Sequence, residues 1–513
     1  MTHRFDTTPS ANIPRSSFDR TSGYKTTFDA GLLIPFFVDE ALPGDTFNLK
    51  LTAFARLATP IKPIMDNMYM ETFFFSVPVR QIWENWERFN GEQDNPQDST
   101  DFLVPITNLI GTVDNVEGSL WDYMGIPVGV DISVNSLHSR AYNHIYNNWF
   151  RDQNLKARAP FTVLDGPDTA ANHVVLRRRK RPDYFTSCLP FPQKGADVTV
   201  PIADRAEVKI DTVATAGPNI TAVTDTGFQS DMKTAGSELT LGTQDLTGYA
   251  LYADLAGATG ITINDLRESF QVQKLLERDA RGGSRYPEII KSHFGVTDPQ
   301  MLVLQRPEFL GGGSSRINIS PVQQTSKTDT GTDPSAQGNL AGFGTVSLMG
   351  HGFTKSFTEH CVIIGIVNVR ADLTYQQGLN RMWSRRTRFD YYWPALSHLG
   401  EQSVLNKEIF ADGSANDELV FGYQERYAEY RYKPSLITGK FRSVDPASLD
   451  VWHLSEEFGS VPLLGSPFID DNPPVDRVIA VQSEPHFLFD AYIDLRCVRP
   501  MPLYGVPGLI DHF

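Results

Sequence analysis

Phe47-Asn48-Leu49-Lys50-Leu51-Thr52-Ala53-Phe54-Ala55-Arg56-Leu57 is the stretch whose reading decides the fold class. Phe47, Leu49, Leu51, Ala53, Ala55 and Leu57 fall on one side of an extended chain, with Asn48, Lys50, Thr52 and Arg56 on the other. Period two marks a strand with one buried face, because successive side chains of extended backbone point in opposite directions. The same alternation returns near the other end of the sequence, over residues 486–498. There Phe487, Phe489, Ala491, Ile493, Leu495 and Cys497 oppose Asp490, Asp494 and Arg496. Strands at both ends must pair across a long sequence separation. That favours a Greek-key or jelly-roll sandwich with long insertions over a string of βαβ units.

Between these ends, Met68-Tyr69-Met70-Glu71-Thr72-Phe73-Phe74-Phe75-Ser76-Val77 reads as a second strand ending at Pro78. Ile82, Trp83, Trp86 and Phe89 then fall at the spacing of a short helix. A second helix is expected over residues 136–150, with Tyr142, Ile145, Tyr146 and Trp149 on one side. A third is expected over 264–280: Thr262 or Asn264 can cap it, Leu266, Phe270, Val272 and Leu276 form an apolar arc, and Gly282-Gly283 stop it. Strand-like runs recur over 361–369 and 421–432. Residues 1–30 are polar with nearly cancelling charges and read as an extended arm, ordered only by contact with something else. Residues 31–195 and 261–513 carry the two parts of the sandwich. Residues 196–260 form an acidic excursion with nine carboxylates against three cations and no Trp, His or Cys. That composition supports little core, and short alternations such as Val198-Thr199-Val200 point to small strands; a flexible loop is the other reading.

The 513-residue chain is 41% hydrophobic and 21% charged, with 39 Gly and 33 Pro, which suits β structure with many turns. Its 32 Phe, 18 Tyr and 7 Trp suit a large core and subunit interfaces alike. A net charge of −15 argues against a freely diffusing nucleic-acid binder but allows a local basic patch. Cys188, Cys361 and Cys497 form no disulfide framework or zinc spacing, which points to a reducing compartment. No apolar run nears the ~20 residues that span a bilayer. The start lacks the apolar stretch of a signal peptide, so a soluble protein made in the cytoplasm is expected, with no membrane insertion.

Motifs for chemistry are missing. There is no GxxxxGK[ST] loop, and Gly311-Gly312-Gly313-Ser314-Ser315-Arg316 reads as a flexible connector. No HExxH, paired-cysteine or GxSxG motif occurs, and His351 and His360 read as structural. The acidic stretches at 412–418 and 470–474 read as exposed turns rather than calcium loops. No catalytic residue, metal site or cofactor is therefore assigned, and an enzyme is not expected. The remaining lead is basic. Arg177, Arg178, Arg179, Lys180 and Arg181 are consecutive, and such charges repel unless an anion neutralises them; phosphate is the natural candidate. Arg381, Arg385, Arg386 and Arg388 interleave with Trp383 and Phe389, a composition suited to single strands whose bases stack on rings. Salt bridging to acidic surfaces of neighbouring subunits is the other reading of both clusters.

Thr186-Ser187-Cys188-Leu189-Pro190-Phe191-Pro192-Gln193-Lys194-Gly195 is similar to the segment that precedes the large insertion in the major capsid proteins of gokushoviruses, a subfamily of the microviruses. The resemblance continues through QVQKLLERDARGGSR (271–285), Ser292-His293-Phe294-Gly295, NISPVQQTS (318–326) and HGFTKSFTEH (351–360). It is densest over 367–393, 422–442 and 471–513. Cys188 and Cys361 stand where other small residues would be usual. The resemblance implies an eight-stranded viral jelly roll, mainly β, with long loop insertions containing several α-helices. It implies self-assembly into a T=1 icosahedral shell, one subunit per asymmetric unit, around circular single-stranded DNA. It further implies a small basic DNA-binding phage protein as partner, assembly in the bacterial cytoplasm and residence in the virion. The segment 196–260 would be the variable surface projection near the threefold axes, able to contact a host receptor. The competing readings are a secreted jelly-roll carbohydrate-binding protein or glycosidase, which would want a signal peptide and disulfides, and a sequence-specific DNA-binding protein, which would want a recognition module.

Overall fold

Thr46–Leu57 is a single strand, and its burial alternates residue by residue as the sequence requires. The computed structural model describes residues 13–195, 207–210, 251–254, 263–283, 285–297, 305–327 and 336–504. Eight strands carry the fold: β1 (Ser22–Phe28), β2 (Ile34–Ala41), β3 (Thr46–Leu57), β4 (Met68–Pro78), β5 (Glu308–Arg316), β6 (Leu340–Ser356), β7 (Cys361–Ala371) and β8 (Phe487–Arg499). One sheet runs β1-β8-β3-β6 and the other β2-β7-β4-β5, all antiparallel. The pairs β1/β8, β2/β7, β3/β6 and β4/β5 are those of a long hairpin rolled onto itself. This is the jelly-roll order. Asn318–Gln323 adds a strand beside β6 at the sheet edge.

The two sheets bury their facing rings against each other: Phe36 on β2 meets Phe74 on β4 at 5.6 Å and Phe489 on β8 at 5.8 Å. The far face of the β2-β7-β4-β5 sheet is buried as well. Phe75, Val77, Val362, Ile364 and Ile366 are covered by Trp83, Ile82 and the helix Leu137–Ile145, through Ala141, Tyr142 and Ile145. Burial on both faces explains why β7 reads as a continuous apolar run rather than an alternation. The helix over 136–150 ends in a π turn, Tyr146–Phe150, that leaves Trp149 39% exposed. After Pro78 the chain makes a 3-10 turn, Val79–Gln81, and one helical turn, Trp86–Phe89.

Several expectations are corrected. Residues 16–28 are not an arm awaiting a partner: Ser16–Asp19 and β1 pair with β8 of the same chain. Gly311–Gly313 lie inside β5, where β5 passes β6. A Cβ on Gly311 would stand 2.4 Å from the Gly352 carbonyl, and one on Gly313 2.6 Å from the His351 ring. These glycines permit close approach, not flexibility. The run over 421–432 is a strand only through Val420–Glu425, because Tyr427 takes the left-handed conformation at φ 61°. Asp471 is not on an exposed turn but 3% exposed. Residues 412–418 do form an exposed turn, with the Gly413 and Ser414 N–H groups donating to Asp417 and Asp412. His351 is buried between Thr72 and Ser315, in keeping with a structural role.

By contacts the chain divides into two units, Met1–Pro192 with Gly282–Phe513, and Gln193–Arg281. In the second, Glu207–Ile210 pairs with Leu251–Asp254, and the helix Ile263–Gly282 is present with Phe270 62% exposed. Gly283 stops it at φ 99°. The rest of the acidic segment, including the alternation at 198–200, lies outside the described residues.

Candidate nucleic-acid interface

The five-cation run is a strap threaded between two other segments of its own chain. Arg178 N–H donates to the Gly31 carbonyl, Lys180 N–H to Ile469, and Asp471 N–H to Arg178. The side chains are engaged the same way. Arg177 donates to the Ala30 and Asp471 carbonyls. Arg178 pairs with Glu71 and stacks on Phe73 at 4.9 Å. Arg179 reaches Asp152 at 3.3 Å, Lys180 reaches Glu456 at 2.6 Å, and Arg181 reaches Asp372 at 3.0 Å and Glu71 at 3.3 Å. Lys180 is 4% exposed. Burial alone would raise the Glu71 carboxyl, but Arg178 and Arg370 outweigh it and hold its pKa below the ordinary value. The anion that the run requires is thus supplied within the chain, and an outside phosphate is not needed to balance it.

The second cluster divides. Arg381 donates to the Ser403 carbonyl at 2.6 Å and to Glu408 at 3.0 Å, and Arg385 pairs with Glu429 at 3.3 Å and stacks on Tyr430 at 4.2 Å. Both are structural cations. Arg386 and Arg388 are exposed and have no carboxylate partner among the described residues. Arg388 lies over Trp393 at 4.5 Å, whose indole N–H donates back to the Arg388 carbonyl at 3.0 Å. The loop that carries them is tied by Asp390, which accepts from the Thr387 and Arg386 N–H groups at 2.6 and 2.9 Å. Those bonds hold the exposed Asp390 carboxyl below its usual pKa, Thr387 first.

Around these two exposed arginines lies a surface of rings: Trp383 71% exposed, Phe389 62%, and Tyr391 and Tyr392 about half exposed. Tyr392 meets Tyr430 edge-on at 6.2 Å, so residues 383–393 and the 430s share one patch. Sequence alone does not single out Tyr391, Tyr392, Trp393, Tyr430 and Tyr432. The run Phe389-Asp390-Tyr391-Tyr392-Trp393 was the available signal; its approach to Tyr430 is tertiary and left none. Such a surface can stack bases and hold phosphates, or pack against another protein. Among the described residues no cluster of His, Cys, Asp and Glu could hold a metal, and no helix is long and apolar enough to cross a membrane.

The family described as Capsid protein (F protein) matches residues 7–509. The chain belongs to this capsid protein family. It is 47% identical to capsid protein VP1 of Bdellovibrio phage phiMH2K, over all of this chain and 98% of that protein. It is 41% identical to capsid protein VP1 of Chlamydia phage 1, over 99% and 98% of the two chains. Against capsid protein VP1 of Spiroplasma virus 4 the figure is 36%, over 99% and 97%. The resemblance to gokushovirus capsid proteins therefore holds along the whole chain, and the jelly roll is the fold it implied. The role is structural rather than enzymatic: a homo-oligomeric capsid subunit, resident in the virion.

Proposed function

We propose that this capsid protein builds a T=1 icosahedral shell around a circular single-stranded DNA genome, and that the ring-and-arginine surface at 383–393 meets that DNA. The observation that carries the DNA contact is that exposed Trp383 and Phe389 share residues 383–389 with exposed Arg386 and Arg388, two cations of the basic clusters that no carboxylate in the described chain holds. A polyanion threads such a surface by placing bases on rings and phosphates on guanidiniums. With a net charge of −15 per subunit, the shell leaves most genome charge to be balanced elsewhere, which is the work of a small basic phage protein. Replacing Arg386 and Arg388 together by alanine should leave shells intact by electron microscopy. It should also lower the salt slope of oligothymidylate binding by about 1.4, the value for two phosphate contacts on a single strand. An unchanged slope removes the pair from DNA contact.

Residues 196–260 are the part we assign to host attachment, through a receptor on the cell surface. They hold nine carboxylates against three cations, a composition suited to an outward-facing segment, and the antiparallel pairing of Glu207–Ile210 with Leu251–Asp254 brings two distant points of the segment side by side. Excising residues 211–250 is expected to spare assembly and cut adsorption to host cells at least tenfold. Wild-type adsorption by the shortened protein would refute this role.

A further inference from the structure

Residues 89–139 contain eight carboxylates and no lysine or arginine. Within them Ile106–Leu109 pairs antiparallel with Ile132–Asn135, over a small core of Leu109, Trp121 and Ala170. Beyond that hairpin, residues 110–116 and 127–131 are pressed together. The Gly111 N–H donates to Asp131 at 2.8 Å and the Gly129 N–H to the Asn115 carbonyl at 2.9 Å. A Cβ on Gly111 would stand 2.4 Å from the Gly129 backbone, so only glycine allows this approach. The tip built in this way exposes Ile110, Val113, Val116, Val128, Val130 and Ile132, with Val113 69% exposed. Its carboxylates, Asp114, Glu117, Asp122 and Asp131, form no ion pair among the described residues. Exposed aliphatic side chains gathered on one small tip mark a surface that another protein covers.

A surface of the opposite sign lies around Trp149. Arg306 lies over the Trp149 ring at 4.8 Å, and Arg158 over the Phe161 ring at 4.9 Å. Arg151 donates to the Lys156 carbonyl at 2.8 Å, which folds the chain back between Arg151 and Arg158. None of these three arginines is in an ion pair among the described residues. Arg285 stands beside them, donating to the Asn147 carbonyl at 2.6 Å and paired with Glu288 at 2.9 Å. Burial first, then Arg285 and Arg158, lower the pKa of Arg151, the mark of cations crowded together. The exposed rings of Trp149 and Phe309 meet at 6.1 Å in the same place. Arginines among exposed rings are what the centres of protein interfaces are enriched in.

We infer that the acidic, aliphatic tip of one subunit docks on the Arg151, Arg158 and Arg306 surface of a second copy. Each side supplies the charge that the other leaves unpaired, and both carry apolar groups to bury between them. The occupant is a second copy because the chain belongs to a family of self-assembling capsid subunits and itself carries both halves of the contact. Two different patches meeting head to tail make a heterologous contact, the kind that closes subunits into rings. The inference names two faces of the assembly and is independent of the DNA contact. The test supplies full-length capsid variants to a phage infection whose own capsid gene is disabled, and measures shells against free subunits by sucrose-gradient sedimentation. Glu117→Lys and Arg158→Glu each place like charges across the contact and should cut the shell yield at least tenfold. The double variant restores opposite signs and should recover most of that yield. Val113→Ser leaves every charge in place and should also lower the yield, which keeps the test open if a charge reversal impairs folding. Wild-type yield from both Val113→Ser and Glu117→Lys overturns the inference, as does a double variant no better than either parent. Normal shell numbers from Arg158→Glu with less packaged DNA also overturn it, because the arginines then face the genome.

Discussion

Glu71→Gln is expected to destabilise the subunit by about 3–5 kcal/mol at neutral pH, the range for breaking a buried ion pair by removing one partner. Glu71 projects from β4 at 6% exposure and receives Arg178, Arg370 at 2.9 Å and Arg181 at 3.3 Å. Glutamine keeps the shape but removes the one charge that all three guanidiniums share. Arg181 would retain Asp372, but Arg178 and Arg370, both partly buried, would lose the carboxylate they pair with. Arg370 already has its pKa lowered to about 10, by burial first and by Arg178 second, so little margin exists there. The pH dependence follows from the direction in which Glu71 is displaced. Its folded pKa lies below the ordinary 4.5, so its contribution is present above 4.5 and is lost as pH falls through the folded value. The gap between wild type and variant in urea unfolding should therefore be widest near neutral pH and close in acid. Equal midpoints at pH 7 would show that the cluster is balanced by something other than Glu71.

The same residues explain what the sequence could and could not disclose. β3 and β8 were legible because one face of each meets solvent, so burial imprints a period of two. Their pairing followed from position alone, since each needs a neighbour and they stand at opposite ends of the chain. The 177–181 run misleads because its counter-ions, Glu71, Asp152, Asp372 and Glu456, come from four distant segments. Locally it looks like an unneutralised patch. Gly311–Gly313 mislead for a related reason: a glycine that admits a crossing strand and a glycine in a loose linker look the same until the crossing strand is in view. Within the second cluster, charge and rings pointed to the surface, yet only burial separates structural Arg381 and Arg385 from exposed Arg386 and Arg388.

Asp471 offers the opposite sign of pH effect from Glu71, and it lies against the same strap. Its N–H donates to the Arg178 carbonyl at 2.7 Å and its own carbonyl accepts from Arg177, so the residue holds the basic run in place through its backbone. Its carboxyl is a burden: burial raises its pKa to about 7 against the pull of Lys180, Arg370 and Arg178, and Oδ2 has no partner among the described residues. A folded value above the unfolded 3.8 means that the protonated form is favoured by folding. The associated stability is fully present below the unfolded value and is lost as pH rises to about 7. Asp471→Asn removes the charge at every pH and keeps the backbone bonds. It should stabilise the subunit by about 2–4 kcal/mol at pH 8, since each tenfold change in proton affinity between the folded and unfolded chain is worth about 1.4 kcal/mol. That gain should vanish towards pH 4. Together the two substitutions separate the charges of the strap by sign, since Glu71 supports the fold most where Asp471 opposes it most. Urea midpoints for both variants from pH 4 to pH 8 would test this. A variant Asp471→Asn less stable than wild type at pH 8 would mean that the carboxylate is charged and compensates Lys180 and its neighbours, and the pH argument would fail.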